Sequence, residues 1–406
     1  MKNSPHHPSL TRRGLFGLAS GVTLVVAGGV VWRGEDRGVF GPAPAQAYSP
    51  WSLWNDPANK GTPLALAAAG ILAACPHNTQ PWFFQLSQDR IELYADTSRN
   101  LGAFDPYLRE MHIGLGCAVE NMLQAAGPNG YAAEVEIAPG SLLELSDRSG
   151  RSLAATLTLS KLSAPLEADA LYDAIPRRHT NRFPYDRSKG LPASARDILS
   201  DAAEDEGVKL FTFENGDARS RFDAAVVAAT EEIVADRGMD EASSRWLRET
   251  PRAIAEHRDG LNFDVMGLSP FVALAAKLLP SLPGEQAHKV WLAQTRDSQL
   301  PTAPLVGLIA VRDRYDRAQA LAAGRAWQRM QLTAATLGFV MQPINQPVET
   351  VDREKQRGEQ PKSEARLGAL TGAPDWQPTF AFRAGMPTVT APESPRRPLA
   401  DVVSKA

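Results

Sequence analysis

Two helical segments with the same spacing of small residues constrain the fold of this 406-residue chain most strongly. Residues 116–131 and 324–339 align without gaps, and seven of their positions are identical or similar in character. The aligned pairs are Gly116 with Gly324, Ala118 with Ala326, Glu120 with Gln328, Met122 with Met330, Ala126 with Ala334, Gly130 with Gly338 and Tyr131 with Phe339. Such a repeat predicts two related halves.

Strands and helices are interspersed on both sides of this repeat. Alternating apolar and polar residues predict strands, and longer periodic runs predict helices. The predicted strands are 82–96 (a hairpin), 132–138, 154–160, 208–214, 303–311 and 379–385, and the predicted helices are 62–75, 109–127 and 318–339. This mixture places the chain in the α/β or α+β class.

The second half is longer than the first. We predict a first half over residues 48–164 and a second half over residues 165–406, with an insertion at about 243–300. The insertion contains an apolar helix near 263–280. Two interpretations stay open, because this helix can cover a site as a lid or pack as an additional helix.

Composition excludes several classes of function. The chain is 43% hydrophobic and 22% charged with a formal net charge of -3, so it lacks the basic surface of a nucleic-acid-binding protein. Its histidines are scattered and no C-x-x-C motif is present, which argues against a zinc site. Cys75 and Cys117 are predicted to be small core residues, with a disulfide between them as the alternative.

The first 47 residues have the features of a twin-arginine signal peptide. Arg12 and Arg13 precede a glycine-diluted apolar run that ends at Trp32, and the small residues Ala45 to Ala47 form a cleavage site before Tyr48. We therefore expect the twin-arginine translocase as an export partner and a periplasmic or secreted location. An uncleaved membrane anchor is the alternative. Because this route carries folded proteins, it also indicates a cofactor loaded before export.

Two polar segments are candidates for ligand binding. The stretch ILAACPHNTQPWFF (71–84) places His77, Asn78 and Gln80 in a tight connection between a helix and a strand. The stretch IPRRHTNRFPY (175–185) clusters arginines around a threonine, a pattern that can hold a phosphate dianion. The alternatives are an ordinary turn and a solvated basic helix start.

Five motifs, taken in order, resemble the flavin-dependent nitroreductase superfamily. They are PHNTQPW, RRHTNR, GRAWQRMQLTAATLGF, QPIN and FRAG followed by SPRRPLADV, and together they extend from about Thr62 to Val403. The similarity is greatest to the Acg-like branch, in which two nitroreductase-like halves are fused. It implies an α+β, three-layer α/β/α fold and a monomer whose halves form a pseudo-dimer.

The same resemblance implies one FMN per chain, bound between the halves. It assigns the phosphate to Arg178, Thr180 and Arg182 with the C-terminal pair Arg396 and Arg397, and it assigns the flavin ring to Asn78, Gln80 and the segment Gln342, Pro343, Ile344 and Asn345. Asparagine stands at 345 where the family has glycine. His77 is either a proton donor to substrate or a brace of the turn.

The resemblance implies an FMN-dependent oxidoreductase that reduces a small electron-poor molecule, such as a nitro compound or a quinone. The electron donor, NAD(P)H or another reductant, is left open. A first alternative is a protein that binds FMN under a closed lid with little turnover. A second is a degenerate fold that binds no cofactor.

Overall fold

The computed structural model describes residues 32–41, 44–145, 150–203, 207–279 and 284–405. The predicted signal peptide therefore lies mostly outside the described residues. Within them, the chain forms two antiparallel-rich sheets and fifteen α-helical segments, which confirms the α+β class. No described helix has the length and apolarity needed to cross a bilayer.

The first sheet has the strand order β3-β4-β2-β1-β9. Its strands are β1 (Trp82–Leu86), β2 (Arg90–Asp96), β3 (Tyr131–Ile137), β4 (Arg151–Lys161) and β9 (Val403–Lys405). Strand β9 comes from the C-terminus and pairs in parallel with β1, with Phe84 opposite Val403. The end of the chain thus completes the sheet formed by its beginning.

The second sheet has the strand order β5-β6-β8-β7. Its strands are β5 (Val208–Phe213), β6 (Leu305–Val311), β7 (Val340–Pro343) and β8 (Gln377–Gly385). Every residue of β6 is buried, as expected for a strand covered on both faces. One face packs on the helices of the molecular centre, and Val306 and Leu308 pack on outer helices.

The helices are numbered in chain order. They are α1 (Ala45–Tyr48), α2 (Pro63–Gly70), α3 (Arg109–Ala126), α4 (Ala170–Ala174), α5 (Ala195–Ala203), α6 (Gly216–Ala235), α7 (Arg237–Ser244), α8 (Pro251–His257), α9 (Pro270–Leu278), α10 (Gly284–Ala293), α11 (Leu300–Thr302), α12 (Arg317–Thr336), α13 (Gln346–Arg357), α14 (Lys362–Thr371) and α15 (Leu399–Val402). The two helices of the sequence repeat, α3 and α12, pack against each other in the largest hydrophobic core.

The crossing of α3 and α12 is reciprocal. A Cβ atom on Gly116 would lie 2.1 Å from the Leu321 carbonyl oxygen, and one on Gly324 would lie 2.0 Å from the Ile113 carbonyl oxygen. Gly116 aligns with Gly324 and Ile113 aligns with Leu321 at the spacing of the sequence repeat. The two helices therefore contact each other through equivalent surfaces, as identical subunits do across a two-fold axis.

Several local predictions need correction. Helix α2 ends at Gly70 rather than at Cys75. The short strands β7 and β9 have no signal in the sequence strong enough to predict them. The alternative of a disulfide is wrong, since both thiols are free; Cys75 accepts a hydrogen bond from the Gln80 backbone, and Cys117 donates one to the Gly324 carbonyl.

Candidate functional site

A cavity of about 290 Å³ lies where the two halves and the insertion meet. The first half contributes residues from the 74–77 segment and from α3. The second half contributes Thr180, Arg182 and residues of β7, α12 and α13. The insertion contributes the remaining wall, including Ser243, Leu261 and Trp291. Within the described residues no group of acidic, histidine and cysteine side chains forms a metal site.

The turn between α2 and β1 has an unusual backbone. His77, Asn78 and Gln80 all have positive φ angles, of 46°, 54° and 50°. Residues other than glycine rarely adopt this region, and each such residue costs about 1–3 kcal/mol unless the surroundings hold it. The turn must therefore be held by strong contacts on both of its sides.

Those contacts come from the side chains of the turn itself. Asn78 donates to the carbonyls of Gly260 and Pro395, at 3.2 and 2.9 Å. Gln80 donates to the Arg258 carbonyl at 3.0 Å and accepts from the Arg397 backbone N–H at 2.7 Å. Both amides are thus occupied in joining the turn to the insertion and to the C-terminal segment. They do not line the cavity, which departs from the expected contact with a flavin ring.

Two of the predicted phosphate-binding arginines lie behind the cavity wall. Arg178 and Arg396 are 4% and 2% exposed, and both donate to the Leu72 carbonyl, at 3.1 and 3.4 Å. Arg396 also donates to Asn78 Oδ1 at 2.5 Å. Guanidinium groups commonly satisfy the free carbonyls beyond a helix end, and these two do so just after the end of α2.

Neither of these two guanidinium groups forms a salt bridge with a described carboxylate, although the charge of Glu393 acts on Arg396 from a greater distance. The Nε atom of each is buried without a hydrogen-bond acceptor among the described residues. Burial lowers the pKa of Arg178 to about 10 and that of Arg396 to about 9. Their charges act on Cys75, which lines the cavity. The region behind this wall is therefore positive and under-satisfied.

Arg182 and Thr180 line the cavity directly. Arg182 makes one hydrogen bond, to the Val265 carbonyl at 3.2 Å, and it has no carboxylate partner in the described part of the chain. Burial lowers its pKa to about 10. Arg397 is different, because it donates to the carbonyls of Gln80 and Asp401 and does not reach the cavity.

The segment Gln342–Asn345 is only partly placed as predicted. Gln342, Pro343 and Asn345 line the cavity, but Ile344 is buried in the core and its N–H donates to the Ala381 carbonyl at 2.9 Å. Proline has no N–H. Neither Pro343 nor Ile344 can therefore offer the expected backbone donor to a flavin.

The role of Arg383 on β8 was not predicted from the sequence. Arg383 is fully buried and donates to Gln342 Oε1 at 2.6 Å and to the carbonyls of Gln299 and Phe183. It also stacks 3.8 Å from the Tyr185 ring centroid. Arg383 thereby orients the Gln342 side chain and leaves its amide nitrogen available to other partners.

His77 connects the turn to the insertion. Its Nε2 lies 2.9 Å from Ser243 Oγ, and its ring packs edge-on against Phe104 at 5.1 Å. Burial, together with the charge of Arg182, lowers the pKa of His77 to about 4. The ring is therefore neutral at pH 7 and lines the cavity, which keeps both predicted roles open.

The insertion closes one side of the cavity, but through other elements than predicted. The apolar helix α9 contributes no lining residue, and Phe271 on it is 81% exposed. The wall comes from α7, α10 and the loop around Leu261 instead. Asp259 secures this loop by accepting from Arg99 and from Arg248 Nε at 2.8 Å.

Comparisons with known proteins agree with the motif resemblance. Two Mycobacterium tuberculosis proteins, from strains CDC 1551 / Oshkosh and ATCC 25618 / H37Rv, each named "Putative NAD(P)H nitroreductase", are 29% identical to this chain over 369 residues. The alignments cover 89% of this chain and 94% of each relative. They support the nitroreductase superfamily. No family model matches the chain.

Solved structures show a weaker likeness. The FMN-dependent nitroreductase NfnB from Mycobacterium smegmatis, in complex with NADPH, is 14% identical with a TM-score of 0.37, covering 57% of this chain and 96% of its own. A nitroreductase structure from Anabaena variabilis is 13% identical with a TM-score of 0.40, covering 73% and 69%. Similarity at these TM-scores is too low to argue from.

Proposed function

We propose that this chain is an FMN-dependent oxidoreductase that reduces electron-poor organic molecules, such as nitro compounds or quinones. The observation that carries the proposal is the set of arginines at and behind the cavity wall. Arg178 and Arg396 are buried without a salt bridge and with an unpartnered Nε atom each, and Arg182 faces the cavity without a described carboxylate partner. A buried charge is costly until it is paired. A phosphate dianion would supply the missing partner.

The residues present fit such a cofactor. The Nε–H groups of Arg178 and Arg396 lack an acceptor among the described residues and can donate to phosphate oxygens once the cavity wall at Cys75 moves aside. Arg182 and Thr180 add a guanidinium and a hydroxyl on the cavity side. When bound, FMN supplies hydride and electron transfer. The relatives' printed name, "Putative NAD(P)H nitroreductase", agrees with a reductase that takes its electrons from NAD(P)H.

The chain's own groups then position the substrate and exclude water. The insertion and the strained turn together wall one side of the cavity, and neutral His77 offers a hydrogen-bonding group toward it. Expulsion of water strengthens each electrostatic contact inside such a site. The reciprocal crossing of α3 and α12 supports a monomer whose halves form a pseudo-dimer. The cavity is built from unlike parts of the two proposed halves, which supports a single site per chain.

Flavin content tests the proposal. The full chain, reconstituted with FMN and freed of excess, should release one FMN per chain on denaturation. Because charge-assisted hydrogen bonds contribute about 1.5–3 kcal/mol each, Arg178→Ala and Arg396→Ala should each weaken FMN binding by at least about tenfold. Arg237→Ala is the control, since that side chain is 90% exposed. Absence of flavin binding, or two FMN per chain, would overturn the proposal.

Arg182→Ala is a gentler variant. Arg182 makes one hydrogen bond to the rest of the protein, so its loss should leave the urea midpoint close to that of wild type while weakening FMN binding. An unchanged FMN affinity would show that the cavity-facing guanidinium does not contact the cofactor.

A second candidate function is FMN sequestration with little turnover. The observation that favours it is the insertion, which lines one side of the cavity and is held by Asp259 and by the contact between His77 and Ser243. Asp259→Asn should loosen this cover. If sequestration is the function, wild type will bind FMN yet oxidise NAD(P)H slowly, and Asp259→Asn will be faster. If reduction is the function, the wild-type protein will reduce a quinone without needing the Asp259→Asn substitution.

We also propose export by the twin-arginine route. Replacement of Arg12 and Arg13 by lysine should retain the protein in the cytoplasmic fraction. The structure adds one observation about the proposed cleavage site, since Ala47 is buried and its carbonyl accepts from the Arg396 backbone N–H at 2.7 Å. Cleavage after Ala47 would remove this bond, so the N-terminal sequence of the exported protein is the measurement to make.

A further inference from the structure

Two carboxyl groups that the proposed function leaves unused face each other in the cavity. Glu110 stands in the first turn of α3, and Glu349 stands in the first turn of α13. Both line the cavity and both are 6% exposed. They come from opposite halves of the chain, so the pair forms only where the halves meet.

The contact between these groups requires a proton. The carboxyl groups of Glu110 and Glu349 lie within hydrogen-bonding reach of each other, and an ionised carboxylate can only accept. Glu349 Oε2 is also buried without a donor from any other described residue. Asn345 Nδ2 donates to Glu110 Oε1, which fixes the orientation of that carboxylate. One proton between the two groups satisfies the geometry.

The surrounding charges do not allow both groups to ionise easily. Asp105 caps α3 by accepting from the Glu110 and Met111 backbones, at 3.2 and 3.0 Å. Arg109 is the nearest cation, 3.6 Å from Glu110 Oε1, but its Nε is engaged with Asp352 at 2.8 Å. One guanidinium thus faces four buried carboxyl groups, counting Asp105, Asp352 and the pair.

Burial and mutual repulsion act in the same direction. Burial raises the pKa of Glu110 to about 7 and that of Asp105 to about 6, with Arg109 opposing both. The pKa of Glu349 is also raised, by burial first and by Glu110 second. Close carboxyl pairs lose their protons in two separate steps. The pair therefore holds one proton near neutral pH.

We propose that Glu110 and Glu349 form a proton-donating pair that completes the reduction of a substrate in this cavity, a quinone being the example. The inference rests on the proposed function. The quinone accepts one hydride, whose two electrons originate from a nicotinamide-class donor, and one proton. The carboxyl O–H bond breaks, an O–H bond forms on the quinone oxygen, and the bonding electron pair stays on the carboxylate. Solvent then restores the proton.

The first test needs neither flavin nor turnover. The infrared band of protonated carboxyl groups should be present in the flavin-free protein at pH 6.5 and should become weaker in Glu349→Gln and in the double variant with Glu110→Gln. A smaller contribution from Asp105, whose pKa burial raises to about 6, should stay the same in all of these proteins. Glu120→Gln is the control. Glu120 is buried on the same helix, but its contacts with Arg325 and Arg329 hold its pKa below the usual value, so it contributes no such band.

The second test compares two electron acceptors. General-acid catalysis contributes about 10²–10⁴-fold. Glu349→Gln should therefore lower kcat for a quinone about 100-fold or more and remove the fall of wild-type kcat that accompanies loss of the pair's proton as pH rises. The rate with ferricyanide, which takes electrons without a proton, should fall far less than the rate with the quinone. The other titratable groups that line the cavity are Cys75, His77, Cys117, Arg182 and the Asp240–His288 pair, and the Glu110 and Glu349 variants leave these in place.

The outcomes separate the two proposals. Failure to bind flavin overturns the proposed function while the infrared test still reports on the pair. A protonated band at pH 6.5 that is equally strong in wild type and in the Glu110→Gln, Glu349→Gln double variant overturns the pair, as does a double variant that keeps the wild-type pH profile with quinone.

Discussion

Gly324→Ala should destabilise this protein, although the same change usually stabilises a helix. The new methyl group would lie 2.0 Å from the Ile113 carbonyl oxygen. That contact is with backbone and cannot be relieved by a side-chain rotation, so α3 and α12 must move apart. Overpacking of this kind costs about 1–3 kcal/mol, and the gain in helix propensity returns up to about 1 kcal/mol. We expect a net loss of about 1–2 kcal/mol.

Urea unfolding followed by far-ultraviolet circular dichroism measures this loss. Gly116→Ala should cost a similar amount, because its methyl group would lie 2.1 Å from the Leu321 carbonyl oxygen. The double variant should lose less than the sum, since one separation of the helices relieves both contacts. Ile113 and Trp327 line the cavity on these helices, so FMN affinity should fall as well.

Gly368→Ala is the matched control. Gly368 lies within α14 and has open space where a methyl group would go, so this variant should gain up to about 1 kcal/mol. If Gly324→Ala raised the urea midpoint as Gly368→Ala does, the close approach of the central helices, and with it the reciprocal interface between the halves, would be refuted.

Three further outcomes are expected. The pKa of His77 is about 4 in the folded protein and 6.5 in the unfolded chain, so the free energy of unfolding should fall as pH drops from about 6.5 to about 4. His77→Gln, measured in the same buffers, should reduce that fall. An identical pH dependence in wild type and variant would contradict a buried, neutral His77. Asn78→Ala removes the amide oxygen that accepts from the buried Arg396 guanidinium, which should lower the free energy of unfolding by about 1–3 kcal/mol. Proteolysis of the C-terminal segment should become faster. Unchanged cleavage would show that this hydrogen bond does not hold the segment in place. Because Cys75 and Cys117 are free thiols, a reductant should leave the urea midpoint where it was, and a midpoint that moved would indicate a disulfide.

Much of the secondary structure follows from local pattern. The hairpin of β1 and β2, strands β3 to β6 and β8, and the two central helices lie close to their predicted positions, because each is long enough for its periodicity to be read. Strands β7 and β9 were missed, since a strand of three or four residues is specified by its pairing partner rather than by its own sequence.

The site was predictable in its residue types and less so in its contacts. Arg182, Thr180, Gln342 and Asn345 reach the cavity as the motifs indicate. Asn78 does not, because its amide bonds to a loop and to a terminal segment that are far from it in sequence. No local pattern records such long-range partners.

By itself, the sequence determined the longer strands and the two central helices, the repeat and its paired glycines, and the arginine-rich and amide-rich motifs, since each depends on neighbours within a few residues. Only the tertiary structure decided what those groups face. It placed the amides of Asn78 and Gln80 against the C-terminal segment, left Arg178 and Arg396 buried with an unpartnered Nε atom each, and brought Glu110 to Glu349. Burial and charge pairing depend on which distant segments meet, and the packing of the two halves alone sets that.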